Sequence, residues 1–423
     1  MIVLILRSSF QTDDFVKTEY AELLQRLETL CGAECHILGD EATSIEQWKQ
    51  HPMVPDAVMV ATGGVENLFK TVWSTIDVEK MCAPLKPKTV TLIADGRNNS
   101  LAASLEILTW LEGQGVKARI LHGTNDEILA ALAQQSTPLA GARIGLFGKP
   151  SDWLIASGVD RNYLLERYNV ETVDIDLQRL IDGIKTVSQK EAVKVAQDIV
   201  KRSQDTIEPS CADMVEAAKA YLVIKKICVE ERLDAMTIRC FDIVKACGTT
   251  SCLALALLND EGIVAGCEGD MQTLMSMLLA KRICGTEAFM ANPSQLTEKT
   301  SMLAHCTIPL KMCDNLIVRS HFESGIGVAI QGTLPLTDYT IFKWGGAKLD
   351  RYFVTEAQAV EAPYSNHFCR TQITLDVNLK PYLLQHSIGN HHVVMKGRHE
   401  EAIRKMMGEM GVKSEKWKDH FFN

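Results

Sequence analysis

Gly262-Ile263-Val264-Ala265-Gly266-Cys267-Glu268-Gly269-Asp270 is an apolar run of strand character that ends in two carboxylates. A helix-patterned segment, Met271 to Ile283, follows at once. Strand followed directly by helix is the unit of an α/β sheet, and acidic groups at the carboxyl end of such a strand sit where open α/β sheets bind ligands. If the backbone stays extended, Glu268 and Asp270 share a face, because strand side chains alternate with period two. Asp270 also stands just before the helix, where its carboxylate can cap free N–H groups. Glu268 has no such structural duty, and a buried glutamate is rare unless it is paired or binds a metal.

The same alternation runs through the chain before this point. Ile2–Leu6, Ala57–Ala61 and Thr89–Ala94 read as strands buried on both faces, and Phe15 to Leu30, Val65 to Thr75 and Ser100 to Glu112 carry apolar residues at helical spacing. This predicts a parallel, doubly wound sheet over residues 1–142. A second α/β unit starts near Ala142 with strands Arg143–Gly148, Glu171–Ile175 and Met236–Cys240, and carries the Glu268 segment, giving a domain over 143–312. From 313 to 423 the texture changes to short alternating runs broken by Gly, Pro, Asp and Asn, the pattern of an antiparallel, barrel-like domain with a closing helix at Glu400 to Met410. Thr62-Gly63-Gly64 and Asp95-Gly96-Arg97-Asn98-Asn99-Ser100 sit at strand ends but do not match the dinucleotide fingerprint.

At 423 residues, 46% hydrophobic and 23% charged, the chain has the composition of a soluble multidomain protein. A formal charge of -9 without a basic stripe argues against nucleic acid as partner. The apolar start stops at Arg7, and no run approaches a membrane span, so no membrane association and a cytoplasmic location are expected. The 13 cysteines are scattered, with no Cys-x-x-Cys pair, and most read as small buried hydrophobes. Cys247 and Cys252 stand apart because they flank the small polar loop Gly248-Thr249-Thr250-Ser251.

Two further segments carry imidazoles. His305 lies in the apolar run Met302 to Ile308, where a lone histidine is more often a hydrogen-bonded core residue than a ligand. His391 and His392 precede the strand Val393-Val394-Met395, and adjacent strand residues point to opposite faces, so only one of them can face a site. Carboxylates at 268 and 270 with one or two of these imidazoles would suit a divalent cation such as Mn²⁺. Arg7, Trp153 and Trp344 are candidate sugar or anion contacts, each with an ordinary packing or surface role as the alternative.

Taken in order, Thr62-Gly63-Gly64, Asn98-Asn99-Ser100-Leu101-Ala102-Ala103, Gly148-Lys149-Pro150-Ser151-Asp152-Trp153, Cys267-Glu268-Gly269-Asp270, Ala291-Asn292-Pro293, His305-Cys306, Ser320-His321-Phe322-Glu323 and Gly389-Asn390-His391-His392 resemble the L-fucose and L-arabinose isomerase superfamily, in particular its short fucose-isomerase-like members. The resemblance implies two Rossmann-like domains, a C-terminal β-barrel, assembly as a homotrimer or homohexamer with sites near subunit contacts, and Mn²⁺-dependent aldose–ketose isomerisation of a sugar. On it, Glu268 is the metal-binding glutamate, His392 is favoured over His391 as the late ligand, and His305 is a third ligand. Read from the residues and not from the resemblance, Asp270 is the candidate for the second acid/base group beside Glu268. Arg7, Asn98, Asn99, Ser151, Trp153 and Asn292 would contact substrate, the first three from a neighbouring subunit. One position departs from the pattern: the family's second catalytic aspartate, 24 residues after the glutamate, is Asn292 here. An amide offers a carbonyl oxygen but cannot take up a proton. A sugar-binding or regulatory protein without isomerase activity is therefore an alternative. So is another metal-dependent carbonyl reaction on a phosphorylated or sulfonated sugar, with Arg7 or Lys149 holding the anion.

Overall fold

β1 (Ile2–Arg7), β2 (Glu34–Gly39), β3 (Ala57–Val60), β4 (Val90–Ile93) and β5 (Ala118–Leu121) form a parallel sheet in the order β2-β1-β3-β4-β5. Both faces are covered, as the unbroken apolar runs require. Leu4, Leu6, Val58, Val60 and Leu92 pack on Trp48, Phe69 and Ile107, while Val3, Ile5, Met59 and Ile93 pack on Val16, Leu23 and Ile128. The computed structural model describes residues 1–50, 55–75, 90–116, 118–135 and 137–415, so Thr89 of the strand read at 89–94 lies outside the described residues. The helix read from Phe15 to Leu30 is two, Asp13–Glu19 and Ala21–Cys31. They break at Tyr20, which is buried and donates its hydroxyl to the Ala61 carbonyl at 2.6 Å.

Residues Met1–Gly141 form one compact unit and Ala142–Asn423 another. In the second unit β6 (Arg143–Phe147), β7 (Glu171–Ile175), β9 (Ala235–Ile238) and β10 (Val264–Cys267) make a four-stranded parallel sheet in the order β10-β9-β6-β7. Phe147, Ile238 and Cys267 are in register, so the segments that follow β6, β9 and β10 leave the sheet at one edge. The short β8 (Asp205–Thr206) lies elsewhere, beside β13 (Asn315–Arg319), which pairs with β14 (Ala329–Thr333).

The barrel is built from β11 (Ala288–Leu296), β12 (Ser301–His305), β15 (Asp338–Gly345), β16 (Arg351–Glu361), β17 (Thr371–Leu375) and β18 (His392–Lys396). Its six antiparallel strands run β15-β18-β11-β12-β17-β16 and close by pairing β16 with β15, while β19 (Lys413–Ser414) adds to β16. The division read at residue 312 does not bound this barrel, because β11 and β12 precede it. That hairpin turns at Thr297–Thr300, and its first strand carries Asn292-Pro293, residue types depleted in strands. A short helix, Lys380–Gln385, also interrupts the strand pattern. Between parallel sheet and barrel lies the helix Met271–Cys284, buried at every residue from Met271 to Ala280 and packed against β9, β10, β11, β15 and β18. Among the described residues no helix is long and apolar enough to cross a membrane.

Candidate active site

β10 stops at Cys267, and the next two residues turn sharply. Glu268 has φ 61° and Gly269 φ 74°, both in the left-handed region, which a glutamate enters only when its surroundings hold it there. A Cβ on Gly269 would stand 2.6 Å from the Pro150 Cα, so this position admits only glycine. The Ser151 N–H donates to the Glu268 carbonyl at 2.8 Å and fastens the turn to the loop after β6. The extended backbone expected from the sequence is therefore absent, and Glu268 and Asp270 do not share a face. Glu268 keeps partial exposure, whereas Asp270 is wholly buried as the N-cap of the helix Met271–Cys284.

The Glu268 carboxylate is gripped from the solvent side by Trp153, whose indole N–H donates to Oε2 at 2.6 Å. Trp153 is 53% exposed and packs edge-to-face on Phe241, which packs in the same way on His321, making an aromatic wall beside the carboxylate. The loop that carries Trp153 is anchored by Arg239, which donates to both Asp152 oxygens at 3.0 and 2.7 Å.

The barrel brings two imidazoles to Glu268. His305 ends β12 and His391 immediately precedes β18, with β11 between those strands, so both rings reach one rim of the barrel. One ligand atom each from Glu268, His305 and His391 lie within 4.8 Å of one another. His391 donates Nδ1–H to Asp270 Oδ2 at 2.9 Å, which leaves its buried Nε2 without a hydrogen-bond partner, 3.6 Å from Glu268 Oε1. That separation is too long for a hydrogen bond. His305 Nδ1 pairs with the Thr307 hydroxyl at 3.0 Å. A buried imidazole nitrogen without a hydrogen-bond partner, facing a carboxylate and a second imidazole, fits a divalent metal once it is deprotonated, and Mn²⁺, Fe²⁺ and Zn²⁺ all accept such a donor set.

Three residues raised from the sequence have their polar side-chain atoms engaged inside the fold. His392, favoured as the late ligand, is wholly buried: its Nδ1 donates to the Asn390 carbonyl at 2.8 Å and its Nε2 accepts from Tyr382 at 2.9 Å. Both ring nitrogens are occupied, and His391 takes the position in the cluster. Asp270, read as an acid/base group, has both oxygens engaged. Oδ1 accepts the Thr273 N–H, and Oδ2 accepts the Thr273 hydroxyl and His391. Trp344, raised as a sugar contact, is a core residue whose indole donates to the Leu349 carbonyl.

Charge follows this geometry. Burial opposes ionisation of Glu268, but the close approach of His391, the His305 ring and the Trp153 N–H bring its pKa down to about 2. Asp270 is also held below the ordinary carboxylate range, against burial, by the Lys343 ammonium, His391 and the Thr273 N–H. Burial pushes His305 down to about 3, and His392 to about 3 with the Lys343 charge adding to it. His391 goes the other way: burial favours its neutral ring, yet Asp270 and Glu268 raise it to about 9.

Asn292 on β11 accepts from the Asn390 amide at 2.7 Å and pairs across the sheet with Ala304, so it lies beside both histidine-bearing segments. Ser151 has a buried hydroxyl with no partner among the described residues. Lys149 is exposed. In the first unit Arg7 is not a free cation: it donates to Asp13 at 2.5 Å and to Glu41 at 2.6 Å. Asn98 and Asn99, both left-handed, line a polar recess of about 470 Å³ with Ser8, Thr62 and Gly63 at the carboxyl ends of β1, β3 and β4. That is the switch point of a β2-β1-β3 sheet.

Several curated proteins similar to this chain are sulfoquinovose isomerases. That of Clostridium sp. (strain MSTE9) is 26% identical over 226 residues, 50% of this chain and 49% of that protein. That of Alkalicoccus urumqiensis is 24% identical over 167 residues, 38% of each chain, and that of Priestia aryabhattai 22% over 262 residues, 58% of this chain and 57% of that protein. The matched stretch thus spans about half the length of the first of these relatives. No protein-family model matches the chain.

Proposed function

We propose that this chain is a divalent-metal-dependent aldose–ketose isomerase of the L-fucose and L-arabinose isomerase superfamily, working with Mn²⁺ on a pentose, hexose or modified sugar. The observation that carries the reading is Glu268, a carboxylate held in a left-handed turn beside two buried imidazoles. A cation bound by Glu268, His305 and His391 would polarise the sugar carbonyl as a Lewis acid. Glu268 is placed to move a proton between C1 and C2 by way of an enediol. The Trp153 N–H fixes the carboxylate, and the exposed indole offers an apolar face to the sugar ring. With Asp270 engaged inside the fold, Glu323 is the further carboxyl available to the sugar oxygens. Burial and the Glu268 charge hold its pKa above the usual range.

The relatives are named for sulfoquinovose, which makes it the first sugar to test. The Mn²⁺ form is incubated with it, and then with a panel of aldoses, in D₂O, and deuterium at C1 or C2 is read by NMR. Exchange that disappears in Glu268→Gln supports the isomerase. Binding without exchange favours a sugar-binding or regulatory protein, the reading that Asn292 supports. Assembly as a homotrimer or homohexamer, with Asn98 and Asn99 contributing to a neighbour's site, belongs to the same proposal. A stable monomer in light scattering would contradict it.

A further inference from the structure

Lys343 on β15 is wholly buried, yet nothing in the proposed chemistry uses it. Its ammonium donates to the Thr273 hydroxyl at 2.7 Å and lies 3.8 Å from Asp270 Oδ2. A dry ammonium costs several kcal/mol of desolvation, which a single hydrogen bond does not offset. The rest of its environment explains where that cost is met. An ammonium can only donate, so the Thr273 oxygen accepts from Lys343 and turns its own hydrogen to Asp270 Oδ2, 2.8 Å away. The same carboxylate oxygen accepts the Nδ1–H of His391, which leaves Nε2 facing Glu268 and His305. Asp270 is pinned on its other oxygen by the helix N-terminus through the Thr273 N–H. The line from Lys343 through Thr273 and Asp270 to His391 therefore begins in the barrel wall and ends at the candidate site.

We propose that Lys343 and Thr273 are positioning residues for His391: the buried ammonium balances the buried Asp270 carboxylate, and the Thr273 hydroxyl aims Oδ2 so that His391 presents Nε2 to a divalent cation. This rests on the reading of Glu268, His305 and His391 as a metal site. Partners behind a ligating histidine alter metal affinity by about 10–100-fold when removed. The test uses Co²⁺, whose visible absorption reports coordination geometry, titrated into the metal-free full-length protein, with apo thermal stability measured alongside. Thr273→Val removes the hydroxyl but keeps the shape and the backbone N–H of the cap, and Thr273→Ser keeps the hydroxyl. Expected are at least ~10-fold weaker Co²⁺ binding and an altered spectrum in Thr273→Val, and near wild-type behaviour in Thr273→Ser. Lys343→Met should weaken binding in the same way if it folds. A Thr273→Val protein of lowered melting temperature but wild-type affinity and spectrum would overturn the inference and leave a packing role. Absence of Co²⁺ binding by the wild type would overturn the metal site itself.

Discussion

Acidification separates the three groups of the Glu268–His305–His391 cluster, because only one of them carries a proton near neutrality. With pKa values of about 2 and about 3, Glu268 and His305 are already in their ligand forms, whereas His391, at about 9, must lose a proton before it can bind a metal. Proton and cation then compete for one nitrogen, and apparent affinity should change about tenfold per pH unit below about 9. At about pH 7 the competition is worth about 100-fold, or ~2.7 kcal/mol. Mn²⁺ affinity, followed by the electron spin resonance of the free ion, should rise about 100-fold between about pH 6 and about pH 8. Calorimetry at about pH 7 in two buffers of different ionisation enthalpy should show about one proton released per ion. Without metal the sign reverses. A raised histidine pKa contributes stability that is fully present below about 6.5 and lost as pH rises through about 9, so the apo protein should be less stable at the alkaline end. Affinity that is flat across this range, or binding that releases no proton, would show that His391 is not the ligand that titrates.

Three further outcomes discriminate individual residues. His391→Ala should abolish Mn²⁺ binding while His392→Gln retains it; the opposite result would restore His392 as the ligand. Gly269→Ala should lower stability by about 2 kcal/mol or more, since it adds a left-handed alanine to a clash with Pro150, and a melting temperature equal to wild type would refute the turn geometry. Trp153→Phe keeps an aromatic ring but leaves Glu268 Oε2 without its donor, so D₂O exchange should fall about tenfold or more with metal binding largely kept. An unchanged exchange rate would make the indole N–H dispensable.

The strand-and-carboxylate pattern around Glu268 was enough to place that residue at the carboxyl edge of a parallel sheet. The turn was not legible, because a left-handed glutamate follows from tertiary packing against Pro150 and Ser151, not from its own propensity. The choice between His391 and His392 was reducible by alternation to one of two, but which faces outward depends on strand register, set by Ala291 pairing with His392. Lys343 sits in a run that reads as an ordinary alternating strand, and its buried Thr273 partner is 70 residues away. Phe241 and His321 likewise gain meaning only from the edge-to-face series in which Phe241 packs on Trp153 and His321 on Phe241. Short-range patterns expose elements, while side-chain networks between remote segments leave no local trace.

Because β11 and β12 come before residue 313 and the other four staves after it, barrel closure is an event of long sequence separation. Severing the chain between Met312 and Cys313 would leave an open hairpin on one piece and unsatisfied strand edges on the other, both templates for aggregation. His305 lies on the first piece and His391 on the second. The polypeptide therefore cannot bring Glu268, His305 and His391 together until β18 has paired with β11. A cation that binds there would reward this long-range pairing, acting as a clasp on folding as well as a reagent.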